Sequence, residues 1–283
     1  MKLPVVTFAT LAVAGCAHAP PDSAPPPGAA ESPRIAIVVD DLGDQLAPAR
    51  RVLALPGPVA CAFLPGSPHT GALAQQAHAL GKEVLVHLPL QPRAVQARPV
   101  GLSAGSTALD VDAYLAASLE AVPHASGVNN HQGSLLTTQR QPMDWLMAAM
   151  ARRGGLYFLD SRTAAHSVAY DRALANGLRA TARDVFLDAD PDPRAIRAAF
   201  GALVRRAHRH GQAVAIAHPY PATLQVLEEL LPHLDGAAVH LVPPSALTRT
   251  AAAPGLKLKL SPSRGGARAR APSLPAARSA AAR

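Results

Sequence analysis

Residues 35–43 read Ile-Ala-Ile-Val-Val-Asp-Asp-Leu-Gly: five apolar residues, four of them β-branched, break off into two adjacent carboxylates and a glycine. An uninterrupted apolar run of this length reads as a strand buried on both faces, the habit of parallel sheets covered by helices. In such folds the C-terminal tips of the strands carry the chemistry. Asp and Gly are also ordinary turn and cap residues, so Asp40-Asp41 alone leaves a simple turn open. The argument gains strength because polar residues recur where later apolar runs end.

Apolar runs of strand length return at residues 59–64, 84–88, 127–129, 156–159, 185–187, 213–217 and 238–242. Between most of them apolar residues fall three and four apart and stop at a breaker. Leu73, Ala74, Ala77 and Leu80 precede Gly81; Tyr114, Leu115 and Leu119 precede Pro123; Trp145, Leu146, Ala149 and Met150 precede Gly154; Ile196, Phe200, Leu203 and Ala207 precede Gly211. Each pattern predicts a helix packed on a sheet. About seven strand–helix units over residues 34–249 predict one α/β domain, a (β/α) barrel ahead of an open doubly wound sheet. Asp41-Leu42-Gly43-Asp44 after the first strand matches neither a dinucleotide fingerprint nor a phosphate loop, and its acids repel phosphate, which argues against nucleotide chemistry.

The two ends have a different character. Lys2, an apolar run over residues 5–14 and Val13-Ala14-Gly15-Cys16 resemble a bacterial lipoprotein signal with its lipobox. That implies removal of residues 1–15, acylation of Cys16, and export to the periplasm or cell envelope on a lipid anchor in the membrane; an ordinary secretory signal cut near Ala17 or Ala19 is the alternative. Residues 16–33, rich in Pro, are expected to form a tether, and residues 250–283 a basic disordered tail. Eight Lys and Arg follow Asp235, the last acid, and the formal net charge is also +8, so the high charge belongs to the C-terminal end and the body is neutral. Such a tail suits anionic lipid or cell-wall polymer; export argues against nucleic acid. With Cys16 lipidated, Cys61 stands alone in an apolar run and packs as a small hydrophobe. Nothing in the sequence sets the oligomeric state.

Read in chain order, the strand tips carry Asp40 and Asp41, His87, His131, Asp160 and His218. A barrel brings all of them to one face, where His and carboxylate ligands with an open position make a catalytic site of the zinc type. Taken singly each has a plainer role: Asn129-Asn130 beside His131 suits a turn, Asp160 with Arg162 a structural ion pair, and a lone His after a strand a packing residue. Their shared position weighs against separate accidents. No GxSxG elbow points to a serine nucleophile.

At these residues the chain resembles the divergent polysaccharide deacetylase family, a branch of the NodB-like carbohydrate esterases. The matching pieces are IAIVVDDLG (35–43), HLPLQP (87–92), GVNNHQGS (127–134), FLDSRT (158–163) and AHP (217–219), in the family's order. The resemblance implies a distorted (β/α) barrel and a divalent-metal site, most simply zinc. It makes Asp40 the general base, Asp41, His87 and His131 metal ligands, His218 the acid that protonates the leaving amine, and Asp160 a residue that positions a neighbour. Asn129, Asn130 and Arg162 are the expected substrate contacts. The implied reaction removes acetyl groups from an envelope polysaccharide or peptidoglycan-type glycan. Gln91 stands where better-known NodB-type enzymes offer a second His, and His131 is expected to fill that gap. Gln91 and a low aromatic content, with Trp145 and four Tyr, motivate the alternative of a non-catalytic envelope lipoprotein whose cleft binds glycan or a protein partner.

Overall fold

The computed structural model describes residues 32–94 and 101–251. The expectations for the leader, Cys16, nearly all of the tether and nearly all of the basic tail lie outside the described residues. Among the described residues nine strands and seven helices follow one another, alternating except at β6 and β7: β1 (Arg34–Leu42), α1 (Leu46–Ala54), β2 (Ala60–Phe63), α2 (Thr70–Ala79), β3 (Val84–Leu90), α3 (Ala108–Ala121), β4 (Ala125–Gln132), α4 (Arg140–Arg153), β5 (Tyr157–Asp160), α5 (Ala169–Ala175), β6 (Arg179–Ala182), β7 (Val185–Phe186), α6 (Pro193–His210), β8 (Gln212–Ala217), α7 (Pro221–Leu230) and β9 (His240–Leu241).

All strand pairings are parallel, in the order β6-β5-β4-β3-β2-β1-β8-β7, with β9 added to the start of β1. The ends of this sheet, β6 and β7, are consecutive in the chain and separated only by Arg183 and Asp184. Two residues span little more than 10 Å, so the sheet must curl until its edges nearly meet. The Arg183 amide donates to the Asp160 carbonyl at 2.9 Å and the Asp184 amide to the Val214 carbonyl at 2.8 Å, one to each side. The barrel expected from the alternation is therefore distorted: the chain itself, stepping from β6 to β7, bridges the seam.

Strand parity sorts the core into two parts. Ala36, Val38, Ala60, Ala62, Leu85, Tyr157, Leu159, Val214 and Ile216 point inward and pack with Leu247. Their neighbours, among them Ile35, Ile37, Val39, Cys61, Val84, Val86 and Phe158, point outward beneath the helices. The strands are buried on both faces, which is why they read as unbroken apolar runs. Small alanines in β1 and β2 leave room for the Tyr157 ring; Gly127 opposite has none to spare, since a Cβ there would lie 2.7 Å from that ring. At the floor, the Tyr157 hydroxyl donates to Glu83 Oε2 at 2.9 Å, and Ser245 donates its hydroxyl and its amide to the same carboxylate.

The helices follow familiar rules. In α3, Thr107 and Asp110 form a reciprocal capping box. In α6, Asp192 caps, Pro193 takes the first position and Gly211 terminates at φ 80°, while Ile196, Phe200, Leu203 and Ala207 form the buried stripe. The large members of that stripe each contribute about 1.5–3 kcal/mol by burial. The spacing did not reveal α1, α5, α7 or β6. Strand β6, Arg-Ala-Thr-Ala, has no apolar run because its place is set by pairing with β5. Strand β4, expected over 127–129, runs the length of Ala125–Gln132 because β3 pairs with all of it.

Candidate active site

Inward parity continues past the apolar layer to the top of the barrel. On β1, Ala36 and Val38 lead to Asp40; on β3, Leu85 leads to His87; on β4, Gly127 leads to Asn129; after β8, Val214 and Ile216 lead to His218. The mouth is thus polar where the interior below it is apolar. Asp41 has the wrong parity, and a bulge corrects it. Pairing of β1 with β2 advances three residues from Val39 to Leu42 while β2 advances two, from Cys61 to Phe63, and Asp41 sits at φ 57°. A bulge re-aims a side chain in this way, so both adjacent carboxylates reach one site and Leu42 returns to the outer core.

Asp41 Oδ1 lies 3.1 Å from His87 Nε2 and 2.9 Å from His131 Nδ1, and those two nitrogens are 3.1 Å apart. The three ligand atoms all fall within 4.8 Å of one another. His87 Nδ1 is 2.9 Å from Asn129 Oδ1, while Asn129 Nδ2 donates to Asp40 Oδ1 at 2.8 Å. That chain assigns the proton of neutral His87 to Nδ1 and leaves the Nε2 lone pair facing Asp41. Asp41 Oδ1 is buried and faces the two histidine nitrogens. A carboxylate oxygen and two imidazole nitrogens converging at 2.9–3.1 Å form a donor set that a divalent cation satisfies, with N and O ligands and an open side. The residues present fit a metal.

The electrostatics agree. Burial raises the Asp40 carboxyl, and the opposing pull of His87, His218 and Asn129 does not cancel it. Burial would also raise Asp41, but the neighbouring His131 and His87 hold it well below the usual carboxylate range. The proton affinities of two adjacent acids are thereby pushed apart, that of Asp40 upward and that of Asp41 downward. For His87 burial works against the imidazolium, and Asp40 and Asp41 outweigh it.

His218 stands opposite, its Nε2 3.8 Å from Asp41 Oδ2. Its Nδ1 lies 3.1 Å from Asp188 Oδ1, and its amide donates to Asp188 Oδ2 at 2.6 Å. Thr223 at the start of α7 also donates to Asp188, at 2.9 Å. Burial opposes charge on His218, but Asp188 wins and raises its pKa, as suits a general acid with Nε2 turned to the site. Asp188 was absent from the sequence reading, yet a signal existed: Phe186-Leu187-Asp188 repeats the Phe158-Leu159-Asp160 already singled out.

The other expected site residues take varied places. Asp160 has outward parity; it accepts from the Arg162 amide (2.8 Å), the Ser167 hydroxyl (2.7 Å) and the Tyr170 amide (3.3 Å), and so braces the loop after β5. Asn129 is fully buried and spends its amide on His87 and Asp40. Asn130, also buried, accepts from the Ser161 amide at 2.9 Å and donates to the Gln132 carbonyl at 2.8 Å. Asn129 supports the site from behind, while Asn130 also lines the cavity over it. Gln91 points elsewhere, its Oε1 accepting from the Ala104 amide at 2.8 Å, and it is His131 that joins the ligand group. A cavity of about 410 Å³ opens over the cluster, lined by Asp40, Asp41, His87, His131, Arg162 and His218 among others. Phe186 (38 % exposed) and Tyr220 (49 % exposed) both rest on the His218 ring, with centroids 5.4 Å away.

Comparison with known proteins fits this geometry. The family model for divergent polysaccharide deacetylase matches residues 37–248. Over 202 residues the chain is 37% identical to an uncharacterized protein of Haemophilus influenzae, covering 71% of this chain and 72% of that protein. It is likewise 37% identical to the uncharacterized protein YibQ of Escherichia coli, over 71% of this chain and 63% of YibQ; the chain thus spans less than two thirds of that relative. A crystal structure of uncharacterized protein ATU2773 from Agrobacterium tumefaciens superposes with a TM-score of 0.73 at 27% identity, over 78% of this chain and 92% of that one.

Proposed function

The chain belongs to the divergent polysaccharide deacetylase family, and on that premise we propose that it is a metal-dependent hydrolase removing acetyl groups from a cell-envelope polysaccharide. The observation that carries this reading is the convergence of Asp41 Oδ1, His87 Nε2 and His131 Nδ1 between Asp40 and His218. A bound divalent ion, zinc by its donor preferences, would polarise the acetyl carbonyl and lower the pKa of an attacking water. Asp40, a carboxylate whose proton affinity burial raises, takes the proton from that water. His218, whose hold on its proton Asp188 strengthens, delivers a proton to the departing amine or alcohol. Water and the acyl linkage are consumed; acetate and the free sugar amine or hydroxyl are formed. Asn129 holds His87 and Asp40 at fixed separation throughout. In the same reading the protein is exported and held to a membrane by a lipid on Cys16, with the glycan as its partner.

Gln91, directed to Ala104 and away from the cluster, favours a second reading, a non-catalytic lipoprotein that binds glycan in the same cavity. The two part on measurement. Elemental analysis of the purified protein beside Asp41→Ala and His87→Ala is expected to find near-stoichiometric divalent metal lost in both variants, and acetylated glycans to release acetate only with the wild type. A wild type that takes up no metal on soaking and binds glycan without turnover would overturn the hydrolase reading in favour of the second.

A further inference from the structure

A second cavity, of about 330 Å³, lies along the barrel seam where the chain steps from β6 to β7, lined by Arg162, Thr181, Asp184, Arg206, His210 and Arg249 among others. Arg162 also lines the cavity over the Asp–His cluster, so the two spaces adjoin across one residue. We propose that the seam cavity is an oxyanion subsite, which takes a carboxylate or phosphate carried by the same polymer whose acetyl group enters the cleft. The inference rests on the deacetylase reading and adds that the substrate is an acidic glycan.

The charge balance of the cavity carries it. Its one carboxylate, Asp184, is already spent: Oδ1 accepts from Arg206 Nε and pairs with Arg206 Nη2, both at 2.8 Å, and Oδ2 accepts from the Val214 amide at 2.9 Å. Among the described residues the Arg162 and Arg249 guanidinium groups have no carboxylate partner. Two unpaired guanidiniums facing one concave space are what a planar or tetrahedral oxyanion recognises, through paired N–H donors.

Both arginines are also posted in advance. Arg162 is held at φ 50°, its amide donating to Asp160 Oδ1 and its carbonyl accepting from Arg183 Nη2, each at 2.8 Å. Arg249 exchanges both backbone hydrogen bonds with Ala180, at 2.7 and 2.8 Å. Fixed backbones lower the ordering entropy that binding must overcome. The placement gives Asp160 a purpose beyond bracing its loop: it sets Arg162 on the ridge between the acetyl-binding cleft and the anion.

The test uses the full chain and two N-acetylglucosamine oligomers of equal length, one neutral and one with a carboxylate on alternate sugars, titrated calorimetrically without metal. The basic tail is present in every sample and cancels between the wild type and the variants, so the change in the affinity ratio reads the cavity. The acidic oligomer is expected to bind about tenfold tighter, with the advantage shrinking as salt rises, and the affinity ratio to fall towards one in Arg249→Ala and Arg162→Ala. Inorganic phosphate is expected to displace the acidic oligomer and not the neutral one. Equal affinity of the wild type for both oligomers overturns the proposal, as does a ratio undiminished in both variants. Phosphate binding without discrimination between the oligomers overturns the polymer as the source of the anion. Failure of the deacetylase reading would register separately, as charge discrimination intact with no acetate released after metal is added.

Discussion

Asn129→Ala removes one side chain that serves two partners, so its consequence can be worked from the structure. The amide accepts from His87 Nδ1 at 2.9 Å and donates to Asp40 Oδ1 at 2.8 Å, and both partners are buried. Truncation leaves an imidazole N–H and a carboxylate oxygen with no replacement from the protein. Each unpaired buried group costs about 1–3 kcal/mol, the charged one at the upper end, so the fold loses roughly 3–5 kcal/mol. For a domain of this size each kcal/mol lowers Tm by about 2–4 °C, which places the fall near ~10 °C by scanning calorimetry. The same change frees the His87 tautomer and ring angle. Loss of such a partner weakens metal binding by about 10–100-fold, read by competition titration against a chromophoric chelator at a temperature where the variant is fully folded. A folded Asn129→Ala protein with wild-type metal affinity would refute the relay from Asp40 through Asn129 to His87, whatever its Tm.

Other consequences follow from the same geometry. Asp188→Asn removes the charge that raises the His218 pKa; acetate release should fall by about 10²–10⁴. Because the acid form is then lost at lower pH, the alkaline limb of the rate profile should move to lower pH, and an unmoved limb would show that Asp188 does not tune His218. Burial pushes the Cys61 thiol up to about 12 from an unfolded value of 9.0, so iodoacetamide at pH 8 should label it only through unfolding. The folded chain holds that proton longer; the associated stability is full below the unfolded pKa and is lost as pH rises towards the folded one, measurable as a falling urea midpoint. Gly127→Ala places a Cβ 2.7 Å from the Tyr157 ring and should destabilise the domain by about 1–3 kcal/mol in urea; an unchanged midpoint would mean the barrel interior yields more easily than its packing implies.

Much of the architecture was legible because burial on both faces writes itself into composition. The unbroken apolar stretches that became β1, β2, β3, β5 and β8, and helices α2, α3, α4 and α6 with their breakers, are local patterns that one stretch of chain carries alone. So were the acid pair Asp40-Asp41 and the histidines His87, His131 and His218, since each lies at or near the C-terminal tip of a strand-like stretch. What depended on other strands was not legible. Strand β6 lacks an apolar run and exists through its pairing with β5. The bulge that turns Asp41 inward is a mismatch of register between β1 and β2, a property of neither strand by itself. Asp160 and Asp188 close the same tripeptide, Phe-Leu-Asp, yet Asp160 follows a strand at outward parity and braces a loop, whereas Asp188 lies against His218 and sets its charge. Residue type and spacing determined by themselves which groups could do chemistry. Register and parity, which depend on the neighbouring strand, decided in the folded barrel which of those groups face the cavity and which support it from behind.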